Sequence, residues 1–172
     1  MRRLTAVGLL VLISVAGFGM AQSAGGRGPS TPEERSRFVA IPHKLENDPL
    51  DRSLDGNRDW ALRWLIAVPD VHVSLCSAVL GDFMKEKKYK YSGEIMRQLT
   101  FSAAPSTMED PAGGNDPMAQ HVAGVKGALT AYQSILTAKP EAHSKSLDAL
   151  VQQQSNGKLE DTIRASAKKA CQ

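Results

Sequence analysis

The chain has few aromatic residues, few cysteines and little surplus of either charge. Aromatics make up 5% of its 172 residues, against 42% hydrophobic residues in all. A core must therefore be built mainly from aliphatic side chains and alanine. That balance suits closely packed helices better than a β-sandwich, where aromatic and β-branched residues are enriched. The short signatures of several chemistries are also missing. There is no C-x-x-C-H for covalent haem, no Walker loop, no H-E-x-x-H and no G-x-S-x-G. Basic residues number 21 and acidic residues 18, which leaves no electrostatic footprint for nucleic acid.

What is present begins with an address. Arg2 and Arg3 precede an apolar stretch over residues 4–18, and Gly19 and Ala21 are small residues at the −3 and −1 positions of a cleavage point. This reads as a secretory signal peptide over 1–21. It places the protein outside the cytoplasm, secreted or periplasmic. Cleavage removes two of the 21 basic residues, leaving 19 against 18 acidic, so the formal charge falls from +3 to +1. Residues 22–30 (QSAGGRGPS) form a Gly/Ser/Pro-rich lead-in, and 31–172 read as a single helical domain. No membrane span is expected after cleavage. The most apolar mature stretch, 60–80, is interrupted by Arg63, Pro69, Asp70 and His72.

Cys76 and Cys171 are the only cysteines. In an oxidising compartment they are expected to pair. A loop of that length is worth roughly 4–5 kcal/mol in the chain-entropy account, less any strain. Two cysteines are too few for a structural zinc site, and no cofactor is expected. Methionines 84, 96, 108 and 118 read as gap-fillers rather than soft copper ligands.

The pattern predicts an all-α fold, an irregular bundle of six or seven helices clamped by the Cys76–Cys171 bridge. Thr31-Pro32-Glu33-Glu34 is a helix start, with a capping threonine and a first-position proline. Pro42 is expected to kink or break that helix. A second helix is predicted from about Asp51 or Leu54 to Val68, apolar nearly all round in its last turns and so buried on every side. Pro69-Asp70 breaks it, and a third helix is predicted from there to the charged run 85–88, with Asp70 as its cap and His72 in its first turn. Ser92 is predicted to cap the next helix, with Ile95, Met96, Leu99 and Ala103 as its stripe, and Pro105 to end or kink it. The segment 108–117 reads as a long loop.

Asn115-Asp116-Pro117 restarts a helix whose apolar residues Met118, Val122, Val125, Leu129, Tyr132 and Leu136 step by 4, 3, 4, 3 and 4. Beside them lie Gly124, Gly127, Ala128 and Ala131. Two glycines cost about 1 kcal/mol each mid-helix, so a bulky partner or a close helix crossing is expected there, with Trp60 and Trp64 as the candidates. Lys139-Pro140 stops this helix. Two shorter helices follow, one with Leu147, Leu150 and Val151, the other with Leu159, Ile163 and Ala167.

Three residues in the central stretch 60–76 are candidates for ligand binding. Arg63 is a lone guanidinium among apolar residues and must reach water or a carboxylate such as Asp59. Asp70 and His72 place a carboxylate and an imidazole at a break between elements, where they would orient a ligand, hold a metal or act as an acid/base pair. The competing reading is a helix cap and a packed histidine. His121 is expected on the polar side of the long helix, with His43 and His143 near helix ends. The run 85–91 (KEKKYKY) interleaves lysines with tyrosines. It reads either as a solvated helix end with a packing tyrosine or as a contact for an anionic surface or polysaccharide. No catalytic residue is identified. The expected function is a non-catalytic exported module that binds a protein or small ligand in the envelope or extracellular space. Metal binding or catalysis through Asp70/His72, and an envelope stress or chaperone-like role, are the alternatives.

Overall fold

The computed structural model describes residues 27–109 and 116–171. The segment expected to be a signal peptide, most of the expected lead-in and most of the expected 108–117 loop lie outside the described residues. Among the described residues there are seven α-helices and no strand: α1 (Pro32–Asn47), α2 (Asp55–Ala67), α3 (Ser92–Ala103), α4 (Pro105–Glu109), α5 (Pro117–Ala138), α6 (Lys145–Ser155) and α7 (Leu159–Ala170). Short 3-10 turns cover Arg52–Leu54, Ser77–Leu80 and Phe83–Lys85.

Helix α1 starts as its sequence requires. The Thr31 hydroxyl accepts from the Glu34 N–H at 3.2 Å, and the Glu34 carboxylate accepts from the Thr31 N–H at 3.0 Å. Pro42 does not break the helix, which continues to Asn47. Pro42 is itself buried, its neighbours Phe38, Ile41 and Leu45 face the core, and Gln98 Nε2 donates to its carbonyl at 3.1 Å. Tertiary packing holds the helix through the missing backbone hydrogen bond.

The α3–α5 crossing organises the domain. Ile95, Leu99 and Ala103 of α3 are fully buried, as are Val125, Ala128, Leu129, Ala131, Tyr132 and Ile135 of α5. The two helix glycines make this approach possible. A Cβ at Gly124 would lie 2.6 Å from the Leu99 carbonyl oxygen; one at Gly127 would lie 2.0 Å from Ser102 Oγ and 2.6 Å from Glu46 Oε1. The close crossing expected from the sequence is present, but its partners are the Leu99 carbonyl and the Ser102 side chain of α3 with Glu46 of α1, not the tryptophans.

Those tryptophans belong to a second cluster. Trp64 packs on Phe38 of α1 with ring centroids 4.7 Å apart, Phe38 meets Phe101 of α3 edge-on at 5.8 Å, and Trp60 stacks on Trp64. The Arg37 guanidinium covers Trp60 at 3.8 Å. Each aromatic pair is worth about 0.5–1.5 kcal/mol beyond its buried area.

A polar network ties the two clusters. Ser102 Oγ donates to Glu46 Oε1 at 2.8 Å and accepts from Gln98 Nε2 at 2.8 Å. Gln98 is 2% exposed, so its amide depends on these partners.

Three expectations are corrected here. Helix α2 is not buried all round: Leu62 and Ile66 are 44% and 77% exposed. It has a packing partner on one side only, through Ala61 and Trp64, so the opposite apolar residues meet water. The buried arginine of α2 is Arg58, which donates to the carbonyls of Pro49 and Asp51 and to Asp55, each at 2.7 Å.

No helix spans 70–85. Residues 71–76 are irregular, followed by 3-10 turns around Gly81, whose φ of 64° ends the first of them. The buried side chain of Gln120 holds this segment: its Oε1 accepts from the Ser74 N–H at 2.6 Å and its Nε2 donates to the His72 carbonyl at 3.4 Å. A side chain from α5 thus satisfies backbone groups that a helix would have paired.

Ser92 is the first residue of α3 rather than its cap, and no side chain caps that end. The C-terminus is held as expected. Cys76 and Cys171 form a disulfide with Cα atoms 5.7 Å apart across a sequence separation of 95.

Candidate functional site

The three candidates from the sequence do not converge. Arg63 is exposed on α2 and makes no ion pair with Asp59. Asp70 serves as an anchor for the chain ahead of α1. Its Oδ1 accepts from the Ser30 N–H at 2.8 Å, and its Oδ2 accepts from the Ser30 hydroxyl at 2.8 Å and from Arg35 at 2.7 Å. Partial desolvation opposes ionisation, but these donors outweigh it and bring the carboxyl down to about 2. Asp70 is therefore not a helix cap, because the helix it was expected to start does not form. His72 is exposed, not packed in a first turn, and its carbonyl rather than its ring is engaged, by Gln120. No hydrogen bond or ion pair joins any two of Arg63, Asp70 and His72. Among the described residues, no three His, Cys, Asp or Glu side chains group as a metal site.

The polar groups that do converge lie around the 85–91 run. Its tyrosines fold inward. Tyr89 meets Phe83 at 5.6 Å, Tyr91 at 6.0 Å and Tyr132 at 6.4 Å, all edge-on. The intervening lysines are left outside, on the wall of a cleft of about 660 Å³ closed on its other side by Glu141, Ala142 and His143. That volume falls within the range of small-ligand sites.

The electrostatics of the cleft follow from where its carboxylates go. Glu86 reaches away from the lysines to the start of α6, where Oε1 accepts from the Ser146 N–H at 2.8 Å. Partial burial works against its ionisation; donors on Ser146, Ser144 and Lys145 prevail and hold it below the ordinary carboxyl range. Its charge thus complements a helix N-terminus. Lys85 is paired with Asp82 at 2.8 Å. Among the described residues no carboxylate pairs with Lys87, Lys88 or Lys90, and Lys90 Nζ lies 5.6 Å from the Tyr91 ring centre. Glu141 is the one lining carboxylate without a partner among the described residues.

A hydrogen-bonded relay fixes the histidine at the rim. Tyr132 Oη accepts from the Ser144 N–H at 2.9 Å and donates to Asp148 Oδ1 at 2.6 Å, while His143 Nδ1 lies 3.1 Å from Asp148 Oδ2. Burial, then donation to Asp148, pushes the Tyr132 hydroxyl well above its ordinary range, so it remains a donor. The relay leaves His143 Nε2 free for a ligand. His121, by contrast, is buried rather than on a polar face, and desolvation lowers its imidazole below the ordinary value.

Sequence reasoning singled out the lysine–tyrosine run but missed its partners. Glu141 and His143 come from the α5–α6 connection and Asp148 from the first turn of α6, far along the chain. The detectable signal was local: His143-Ser144 sits at a helix start, with Asp148 within the first turns of that helix. No known family model, curated protein or solved structure matches the chain.

Proposed function

We propose that the chain is an exported, non-catalytic helical binding module whose 85–91/141–143 cleft takes an anionic ligand. The observation that carries this reading is the unequal fate of the charges. Glu86 is committed to α6 and Asp82 to Lys85, so that Lys87, Lys88 and Lys90 keep unpaired ammonium groups on a concave wall whose one uncommitted carboxylate is Glu141. Exposed ammonium groups with no intramolecular partner attract anions at little reorganisation cost, and His143, its Nδ1–H given to Asp148, offers Nε2 as an acceptor for a ligand hydroxyl. Export is supported by the N-terminal pattern read above and by the Cys76–Cys171 bridge, which suits an oxidising compartment.

The test is calorimetric titration of the protein with sucrose octasulfate, a small dense polyanion. Saturable one-to-one binding is expected, weakening at about 0.5 M salt, where charges are screened over a few ångströms. The triple variant Lys87→Ala/Lys88→Ala/Lys90→Ala should bind roughly 3- to 150-fold more weakly, from three exposed charge pairs of about 0.2–1 kcal/mol each. Arg63→Ala, outside the cleft, should bind as the parent does. Equal affinity of the triple variant and the parent would remove the cleft from consideration.

A further inference from the structure

The cleft does not end at its own wall. Lys85 and Glu86 also line a second hollow of about 530 Å³, bounded by the 81–86 segment, α6 and α7. These two residues are the common wall of both hollows. Ammonium groups recur along the course, with Lys87, Lys88 and Lys90 in the first hollow and Lys145 in the second, where Lys85 is already paired with Asp82. The carboxylate of that wall, Glu86, is turned into the start of α6.

The second hollow differs in chemistry. Ala149 and Leu150 supply apolar surface, and Ser146, Gln153, Thr162 and Ser166 supply neutral hydroxyl and amide groups. No aromatic ring lines it. A path with ammonium groups along it, a tyrosine ring at one end, and hydroxyls over an apolar floor at the other matches a chain of sugars that carry acid groups. It suits a single-stranded nucleic acid poorly, because successive bases require successive stacking surfaces.

We propose that the two hollows form one groove for a linear acidic polysaccharide, whose carboxylate or sulfate groups meet the lysines and whose neutral hydroxyls meet the second hollow. This rests on the anion-binding reading of the first cleft and extends it to the class of ligand.

The experiment compares oligosaccharides of defined length by calorimetry on the full exported chain: a di- and a hexauronate, a di- and a hexasaccharide bearing sulfates, and an oligothymidylate of the same charge as the hexamers. The hexasaccharide of at least one acid type should bind at least about tenfold more tightly than its disaccharide, because both hollows are then engaged at once. The acid type with the larger gain identifies the acid group. Lys145→Ala, an exposed residue of the second hollow, should weaken the hexasaccharide by up to about fivefold and leave the disaccharide unchanged. Lys88→Ala should weaken both. A hexasaccharide that binds no better than its disaccharide overturns the groove while leaving the first cleft intact, and so does an oligothymidylate that binds as tightly as the hexasaccharides. Absence of binding by every anion overturns both readings together.

Discussion

Replacing Gly127 by alanine tests the argument that the α3–α5 crossing depends on a missing side chain. On an isolated helix the change would stabilise by about 1 kcal/mol. Here the new Cβ would stand 2.0 Å from Ser102 Oγ, 2.3 Å from Ser102 Cβ and 2.6 Å from Glu46 Oε1. The helices must separate or Ser102 must turn away. Overpacking of this kind costs about 1–3 kcal/mol. Displacing Ser102 also removes its bonds to Glu46 and Gln98, both 2.8 Å, and two hydrogen bonds at about 0.5–1.5 kcal/mol each cost about 1–3 kcal/mol more. Against the gain in propensity, the net loss centres on about 3 kcal/mol, a large fraction of the 5–15 kcal/mol that holds a typical domain together. Urea unfolding followed by far-UV circular dichroism should show the midpoint falling by more than about 1 M. Gly93→Ala is the control: its added Cβ meets nothing within 4 Å, and its midpoint should hold or rise slightly. Ser102→Gly/Gly127→Ala should be more stable than the sum of the two single changes requires, by about 1–2 kcal/mol, because the clashing atoms are gone. A Gly127→Ala midpoint equal to the parent's, or strict additivity in the double variant, would refute the account.

Two further predictions concern the chain ends. Reducing the Cys76–Cys171 bridge, which spans a sequence separation of 95, should cost up to about 4.7 kcal/mol in the chain-entropy account. For a domain of this size that lowers Tm by roughly 10–20 °C, and calorimetric scans with and without reductant check it; superimposable scans would sink the clamp. Asp70→Asn should cost about 1 kcal/mol at neutral pH, a modest figure because the carboxylate is partly exposed. The sign with pH is fixed by the depressed carboxyl, held at about 2 when folded against about 3.9 when unfolded. Its stabilisation is fully present above the unfolded value and is lost as pH falls through the folded one. Parent and variant urea midpoints should therefore converge between about pH 4 and pH 2; a constant gap would rule out the Ser30–Asp70–Arg35 anchor as its source.

Much of the fold was legible because its signals are local. The Thr31 capping box, the Asp116-Pro117 start of α5, the Lys139-Pro140 stop and the Asn156-Gly157 turn each act within a few residues of themselves. Burial of Val125, Leu129 and Tyr132 follows from helical spacing alone. The 70–85 segment misled because Cys76, Val79, Leu80 and Phe83 fall at helical spacing from His72, while the Gln120 side chain that pairs its backbone is invisible from nearby sequence. The candidate site was half legible. The lysines and tyrosines of 85–91 stand together in the chain, but only folding brings the Tyr132–Asp148–His143 relay to face them.

The sequence by itself determined the helical class, most helix boundaries, the pairing of Cys76 with Cys171 and the need for a close partner at Gly124 and Gly127. These depend on caps, prolines, periodicity and cysteine number, which are properties of short stretches. Only the tertiary structure decided which surface fills the glycine gap, which side of α2 is buried, that Asp70 anchors the segment before α1, and that Glu86 leaves the lysines to meet α6. Each of those outcomes is a choice among partners distant in the chain. The choice is made by which groups must be paired once water is excluded, and that depends on the packing of the whole domain.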